Sequence, residues 1–181
     1  MLVIPAIDIK DGQAVRLYKG DYSKRTVYST EPEALAKKFE EMGAKYLHIV
    51  DLDGAKDGKC VNLETIKRIR KNVKIPIELG GGIRNQETVS LYLDEIGINR
   101  VILGTSAINN PEFLEKMLKK YGSEKIVVGV DIKDDLVSIS GWIETSEVNY
   151  IDFIKKIEKV GVKYIVVTDI SKDGTLSRAK L

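Results

Sequence analysis

An α/β fold built on a parallel sheet is what this sequence predicts, and three observations predict it. Short apolar runs rich in β-branched residues alternate with amphipathic helical patterns along the chain. Polar and glycine residues gather just after the C-terminal end of each apolar run. The chain also repeats itself. Gly43-Ala44-Lys45-Tyr46-Leu47-His48-Ile49-Val50-Asp51, followed by Lys56-Asp57-Gly58, is echoed by Gly161-Val162-Lys163-Tyr164-Ile165-Val166-Val167-Thr168-Asp169, followed by Lys172-Asp173-Gly174. A weaker echo joins Ile4 to Asp11 with Val128 to Asp134. A repeat of this kind says that the chain is built from two similar halves. A Rossmann-like sheet is the competitor, but no Gly-x-Gly-x-x-Gly follows the first strand. Loops collected at strand C-termini are the active-site rim of an eight-stranded (β/α) TIM barrel. The expectation is therefore a barrel of two half-barrel repeats, with only the first six strands in this chain. It forms one domain over 1–181, with half-barrel one at about 1–122 and half-barrel two beginning at about 123.

The elements follow in order. The first strand is expected at Leu2 to Ile7, ending at Asp8, with a long polar loop from Lys10 to Thr30. Pro32 to Met42 reads as a helix with Thr30 as N-cap and Leu35 and Phe39 on one face. Tyr46 to Val50 is the second strand, and a Lys-Asp-Gly turn at Lys56 follows it. A helix from Asn62 to Lys71 leads to the third strand, Ile75 to Leu79. Then come a helix from Gln86 to Ile96, a strand from Arg100 to Leu103, and a helix from Pro111 to Tyr121. Asn62, Asn85 and Asn110 stand where N-caps are useful, the last before a proline at the first helical position. Ile126 to Val130 is the fifth strand, ending at Asp131. Tyr150 to Val160 is the next helix, and Tyr164 to Thr168 the sixth strand. Ser177 to Leu181 does not read as the start of a further helix. An open arc of this kind leaves strands one and six as unpaired edges.

Composition narrows the classes of function. With 29 basic and 27 acidic residues the net charge is +2, which gives no reason to expect nucleic acid as a partner. No apolar run is long enough to span a bilayer, and the start has no leader pattern, so the expectation is a cytoplasmic protein. Cys60 is the single cysteine, which excludes an intrachain disulfide. One histidine and no cysteine cluster give no metal-site pattern.

Asp8 and Asp131 end matching strands of the two halves, and in a closed barrel those strands stand opposite one another. Two carboxylates flanking a substrate are the equipment for one general acid and one general base. The competing reading is that each caps the turn after it. Gly80-Gly81-Gly82-Ile83-Arg84 after the third strand lets the backbone approach a ligand closely. Leu103-Gly104-Thr105-Ser106-Ala107 after the fourth strand offers small and hydroxylated residues beside it. Together they point to a phosphorylated substrate. Of Thr168 and Asp169 only one can face the interior, and the sequence leaves open which. His48 reads as a histidine without catalytic duty. Trp142, in a polar loop, is either core or a surface for stacking on a flat ligand.

Ile4-Pro5-Ala6-Ile7-Asp8, His48 to Ala55, Gly80 to Arg84, Gly104-Thr105 and Thr168 to Thr175 together resemble one family. It is the phosphoribosylformimino-5-aminoimidazole carboxamide ribotide isomerase family of histidine biosynthesis. The resemblance runs from the start to about Leu176. The related cyclase subunit of imidazole glycerol phosphate synthase has a Cys-Leu-Asp sequence where this chain has Ala6-Ile7-Asp8. A non-catalytic partial barrel that binds sugar phosphates is the further alternative. The resemblance implies an Amadori rearrangement of an aminoaldose to an aminoketose without a cofactor. It gives Asp8 the role of base at the sugar C2 proton, Asp131 that of acid in ring opening, and Thr168 that of support to the sugar. It makes Gly81, Gly82, Gly104 and Thr105 phosphate ligands and Trp142 the residue that stacks on the substrate. Arg84 and Asp173 match rim positions, and the Lys10 to Thr30 loop becomes a lid. The implied partner is a phosphorylated small molecule, and the implied full-length form is a monomer. The family's second phosphate site comes from strands seven and eight, so the 181-residue chain alone is expected to be inactive.

Overall fold

The computed structural model describes residues 1–139, 142, 144–173 and 175. Ser177 to Leu181, together with Gly174 and Leu176 of the matched segments, lie outside the described residues. Six strands run parallel: β1 (Ala6–Lys10), β4 (Leu47–Asp51), β5 (Ile77–Gly80), β6 (Arg100–Leu103), β7 (Ile126–Lys133) and β10 (Ile165–Asp169). They pair in that order, β1 with β4 and onward to β10 beside β7. The expected α/β architecture with a mainly parallel sheet is present.

Four further strands were not expected. β2 (Gln13–Tyr18) and β3 (Asp21–Ser29) form an antiparallel hairpin on β1, and β8 (Leu136–Ile139) and β9 (Glu144–Asn149) form another on β7. The Lys10 to Thr30 stretch is therefore sheet rather than loop. Both hairpins leave their parent strand in the same register: Asp8 faces Val15, and Asp131 faces Ser138. Both turn over two residues with positive φ, Asp11 (50) with Gly12 (73) and Asp134 (51) with Asp135 (63). That backbone matches the twist of paired strands. Two expectations change as a result. Asp8 and Asp131 sit inside strands that continue beyond them, not at strand ends. Strand one is not an open edge along its whole length, because β2 covers Asp8 to Lys10.

The helices are α1 (Pro32–Glu41), α2 (Leu52–Asp57), α3 (Leu63–Asn72), α4 (Gln86–Ser90), α5 (Thr105–Asn109), α6 (Pro111–Tyr121) and α7 (Tyr150–Val160). After α4 the chain continues as a π-helical stretch, Leu91–Ile96. Asn85 and Asn110 cap as expected, accepting from the amides of Thr88 and Phe113 at 2.8 and 3.0 Å. Two other caps differ. Glu31, not Thr30, precedes α1, and no side chain caps it. Asn62 precedes α3 but spends its side chain elsewhere, on Asp51, Asp53 and the amide of Gly12. The Lys56-Asp57-Gly58 turn is the end of α2, closed by Gly58 at φ 72.

Strand alternation divides the residues between two sides of the sheet. Ile7 and Ile9, Leu47 and Ile49, and Val128 and Val130 are buried in the apolar core with Ile66, Ile69, Val89, Leu114, Met117 and Phe153 of the helices. Each such side chain contributes about 1.5–3 kcal/mol on burial. The intervening residues, among them Asp8, Val50, Gly129 and Asp131, are left for the other side. Among the described residues no helix is long and apolar enough to cross a membrane.

Candidate active site

The other side of the sheet encloses a cavity of about 290 Å³. Each parallel strand contributes to its wall, through Asp8, Val50, Gly80, Ile102, Asp131 and Thr168. The sheet therefore curves around a common interior. Asp8 pairs with Val50, and Val50 with Gly80, in one row across three strands. On the other flank Asp131 pairs with Thr168.

Burial pushes the Asp8 carboxyl up to about 6. His48 and Arg16 oppose that rise, and the negative charge of Asp173 adds to it. Asp131 is also raised above the ordinary carboxylate range, again chiefly by burial. Hydrogen bonds from Trp142 and Thr168 pull it back, as does the charge of His48. Two carboxyls in one cavity thus resist ionisation, and they differ in their partners. Thr168 faces the interior. Asp169 instead accepts from the amide and hydroxyl of Ser171 at 3.0 and 2.7 Å.

The two small-residue turns lie side by side on the cavity, as Gly81, Gly82, Gly104 and Thr105 all line it. The Ser106 hydroxyl donates to the Ile83 carbonyl at 2.9 Å, which ties one turn to the other. Gly81 has φ 102, and a Cβ there would stand 2.1 Å from the Asp51 carbonyl oxygen. Only glycine fits that backbone and that approach. A Cβ on Gly104 would meet open space, so its smallness leaves room in the cavity.

Arg84 lines the cavity and donates to the Ala55 carbonyl at 3.4 Å, its guanidinium lying against Gly58. Trp142 is a cavity wall and not core. Its ring lies over Gly20, where a Cβ would come within 2.1 Å of Cε3, and it holds a left-handed φ of 70. Asp173 faces the cavity, its carboxylate pairs with Arg16 at 3.4 Å, and its backbone carbonyl accepts from the Lys19 amide at 3.2 Å. Those two contacts and the Gly20–Trp142 packing dock the first hairpin over the cavity. The cavity thus brings together the residues that the resemblance gives a catalytic or substrate-binding role, while Asp169 lies outside its lining.

It also adds some. Arg16 and Tyr22 reach the cavity from the first hairpin, and the Tyr22 hydroxyl donates to the Leu52 carbonyl at 2.9 Å. The Asp11-Gly12 pair before the alternating Gln13 to Tyr18 was the signal that could have found them. His48 lines the cavity as well. Among the described residues no group of three or more His, Cys, Asp and Glu side chains is placed to hold a metal.

Residues 2–180 match the family model described as "Histidine biosynthesis protein". The chain is 60% identical over 177 residues to a protein of Lactococcus lactis subsp. cremoris (strain SK11), covering 98% of this chain and 72% of that one. It is 53% identical over 181 residues to one of Listeria monocytogenes serotype 4b (strain F2365), covering 100% of this chain and 75% of that one. It is 52% identical over 181 residues to one of Clostridium botulinum (strain Langeland), covering 100% and 74%. All three are named 1-(5-phosphoribosyl)-5-((5-phosphoribosylamino)methylideneamino)imidazole-4-carboxamide isomerase. With a model match from end to end and relatives sharing more than half of its residues, the chain belongs to the histidine biosynthesis protein family.

Proposed function

We propose that this chain is an isomerase of histidine biosynthesis that converts an aminoaldose into an aminoketose on a doubly phosphoribosylated imidazole carboxamide. The observation that carries this reading is the pair Asp8 and Asp131. They occupy matching positions on matching strands, face one cavity, and are both raised by burial. The names of the relatives supply the substrate class. The six parallel strands are six staves of a (β/α)8 barrel, the first half over about 1–122 and the second beginning at about 123.

Asp131 is the acid that delivers a proton to the ring oxygen as the C1–O bond breaks, leaving an iminium at C1. Asp8, with a carboxyl at about 6, is ionised at neutral pH and accepts the proton from C2. The electrons of that C–H bond move toward the iminium and leave an enol. Protonation at C1, with loss of the enol O–H proton at C2, then gives the C2 ketone. Thr168 steers Asp131 and the sugar together, and Trp142 presents its ring to the substrate beside it. Gly81, Gly82, Gly104 and Thr105 hold a phosphate, with Arg84 and Asp173 at the rim.

The test is turnover of this substrate by Asp8→Asn and Asp131→Asn in a chain that also carries strands seven and eight. Each is expected to lose about 10²–10⁴-fold in kcat, the range of a missing proton-transfer group. Retention of near-normal kcat by either variant overturns its role. Tight substrate binding by that longer chain without any turnover would support a sugar-phosphate binder instead.

A further inference from the structure

Three ionisable side chains sit in one row on the same side of the sheet as the aspartates. His48, Glu78 and Arg100 are successive Cα partners across β4, β5 and β6. Glu78 is 3% exposed, yet both of its carboxylate oxygens are in use. Oε2 accepts from Arg100 Nε at 2.7 Å, and Oε1 meets His48 Nδ1 at 2.7 Å. Burial pushes the Glu78 carboxyl up, but the hydrogen bonds and charges of His48 and Arg100 outweigh it and hold it below the ordinary range. An ionised carboxylate can only accept, so the His48 proton must be on Nδ1. The other edge of the imidazole, with Nε2, is then the one left for the cavity that His48 lines.

Arg100 is itself held in place. Its guanidinium lies 4.6 Å from the Tyr46 ring and 5.0 Å from the Tyr164 ring. Those two tyrosines are the matching ones of the sequence repeat, so the repeat forms a clamp. Both Arg100 contacts fall on Oε2, so it is His48 that satisfies the buried Oε1. The histidine thereby extends the row from a clamped cation to the cavity that it lines.

We propose that Arg100, Glu78 and His48 form a positioning relay that fixes the imidazole beneath Asp8 and Asp131 and lets its charge govern how those two carboxyls exchange protons. The relay rests on the acid and base roles given above. The charges that bear on it are Asp8 on β1, Arg16 on β2, Glu78 on β5, Arg100 on β6, Asp131 on β7 and Asp173 after β10. Of the two side chains that oppose the rise of Asp8, His48 is the larger influence, and His48 is the one common to both aspartates.

His48 is the single histidine, so its ring nitrogens give one set of NMR signals, readable in the unaltered chain. The neutral ring is expected to carry its proton on Nδ1, and Glu78→Gln to abolish that preference. In His48→Gln, which leaves the Glu78–Arg100 pair intact, the carboxyl carbon signal of Asp8 should titrate about 0.5–1 pH unit higher. The acid limb of kcat/KM should rise with it. A proton on Nε2 in the unaltered protein, a tautomer indifferent to Glu78→Gln, or an Asp8 titration unmoved by His48→Gln each overturns the relay. The NMR readings need no turnover, so they stand or fall apart from the isomerase assignment.

Discussion

The ends of β4 and β10 carry nearly the same sequence, yet the two halves use them differently. In the first half Asp51 is fully buried. It accepts from the amides of Gly54, Val61 and Asn62 and from the Asn62 side chain, at 2.7–3.0 Å. In the second half the matching Asp169 holds a short turn through Ser171. The inward residues diverge as well. His48 and Val50 stand where β10 has Val166 and Thr168, so a polar residue occupies the lower row in one half and the upper row in the other. What the halves share is scaffold. What they exchange is chemistry: a histidine beneath the aspartates on one side, a hydroxyl bonded to Asp131 on the other.

If the first half is the anchored one, Asp51→Ala should cost about 3–5 kcal/mol, since it strands several buried donors. Asp169→Ala should cost about 1 kcal/mol, and urea melts of both variants give the ratio. Equal losses would break the comparison. Gly81→Ala strikes the same anchor through the Asp51 carbonyl, and about 3 kcal/mol is expected from its left-handed φ and the collision together.

An effect of opposite sign is expected at Asp8. Burial raises its folded carboxyl to about 6 against an ordinary 3.8, so the folded state resists ionisation and loses stability as pH rises from about 4 through about 6. Asp8→Asn should therefore stabilise the protein above that pH, by up to about 3 kcal/mol, with the gain gone below about pH 4. Melting temperature against pH reads it. A buried carboxyl maintained at the expense of stability is what that curve would show.

Two exchanges between the halves complete the series. Thr168→Val removes a hydrogen bond from Asp131 and should lower kcat about tenfold, with stability changed by less than about 1 kcal/mol. Val50→Thr puts a hydroxyl beside Asp8, the Cα partner of Val50, as Thr168 stands beside Asp131. A hydrogen bond donated there should draw the Asp8 carboxyl down from about 6 and change kcat by about twofold, with stability within about 1 kcal/mol.

Much of this was legible in the sequence where a period or a repeat carried it. The parallel strands are continuous β-branched runs, and the helices show an apolar face, so both could be located. Asp8, Asp131 and the glycine turns followed from the match between halves. The first hairpin was hidden because β3 is exposed along nearly its whole length and shows no inside–outside alternation. Without that hairpin Arg16 and Tyr22 could not be brought to the cavity. Thr168 needed a strand register that only pairing with Asp131 supplies. His48 looked idle because its partner Glu78 is 30 residues away and Arg100 a further 22. Only the sheet places the three in one row.

The identical register of the two hairpins has a practical side for protein engineering. Each leaves its parent strand at an equivalent residue and turns over two left-handed positions. A hairpin grafted at Lys10 or Lys133 would replace Val15 or Ser138, the hairpin partners of the aspartates, while Asp8 keeps its parallel partner Val50 and Asp131 its partner Thr168.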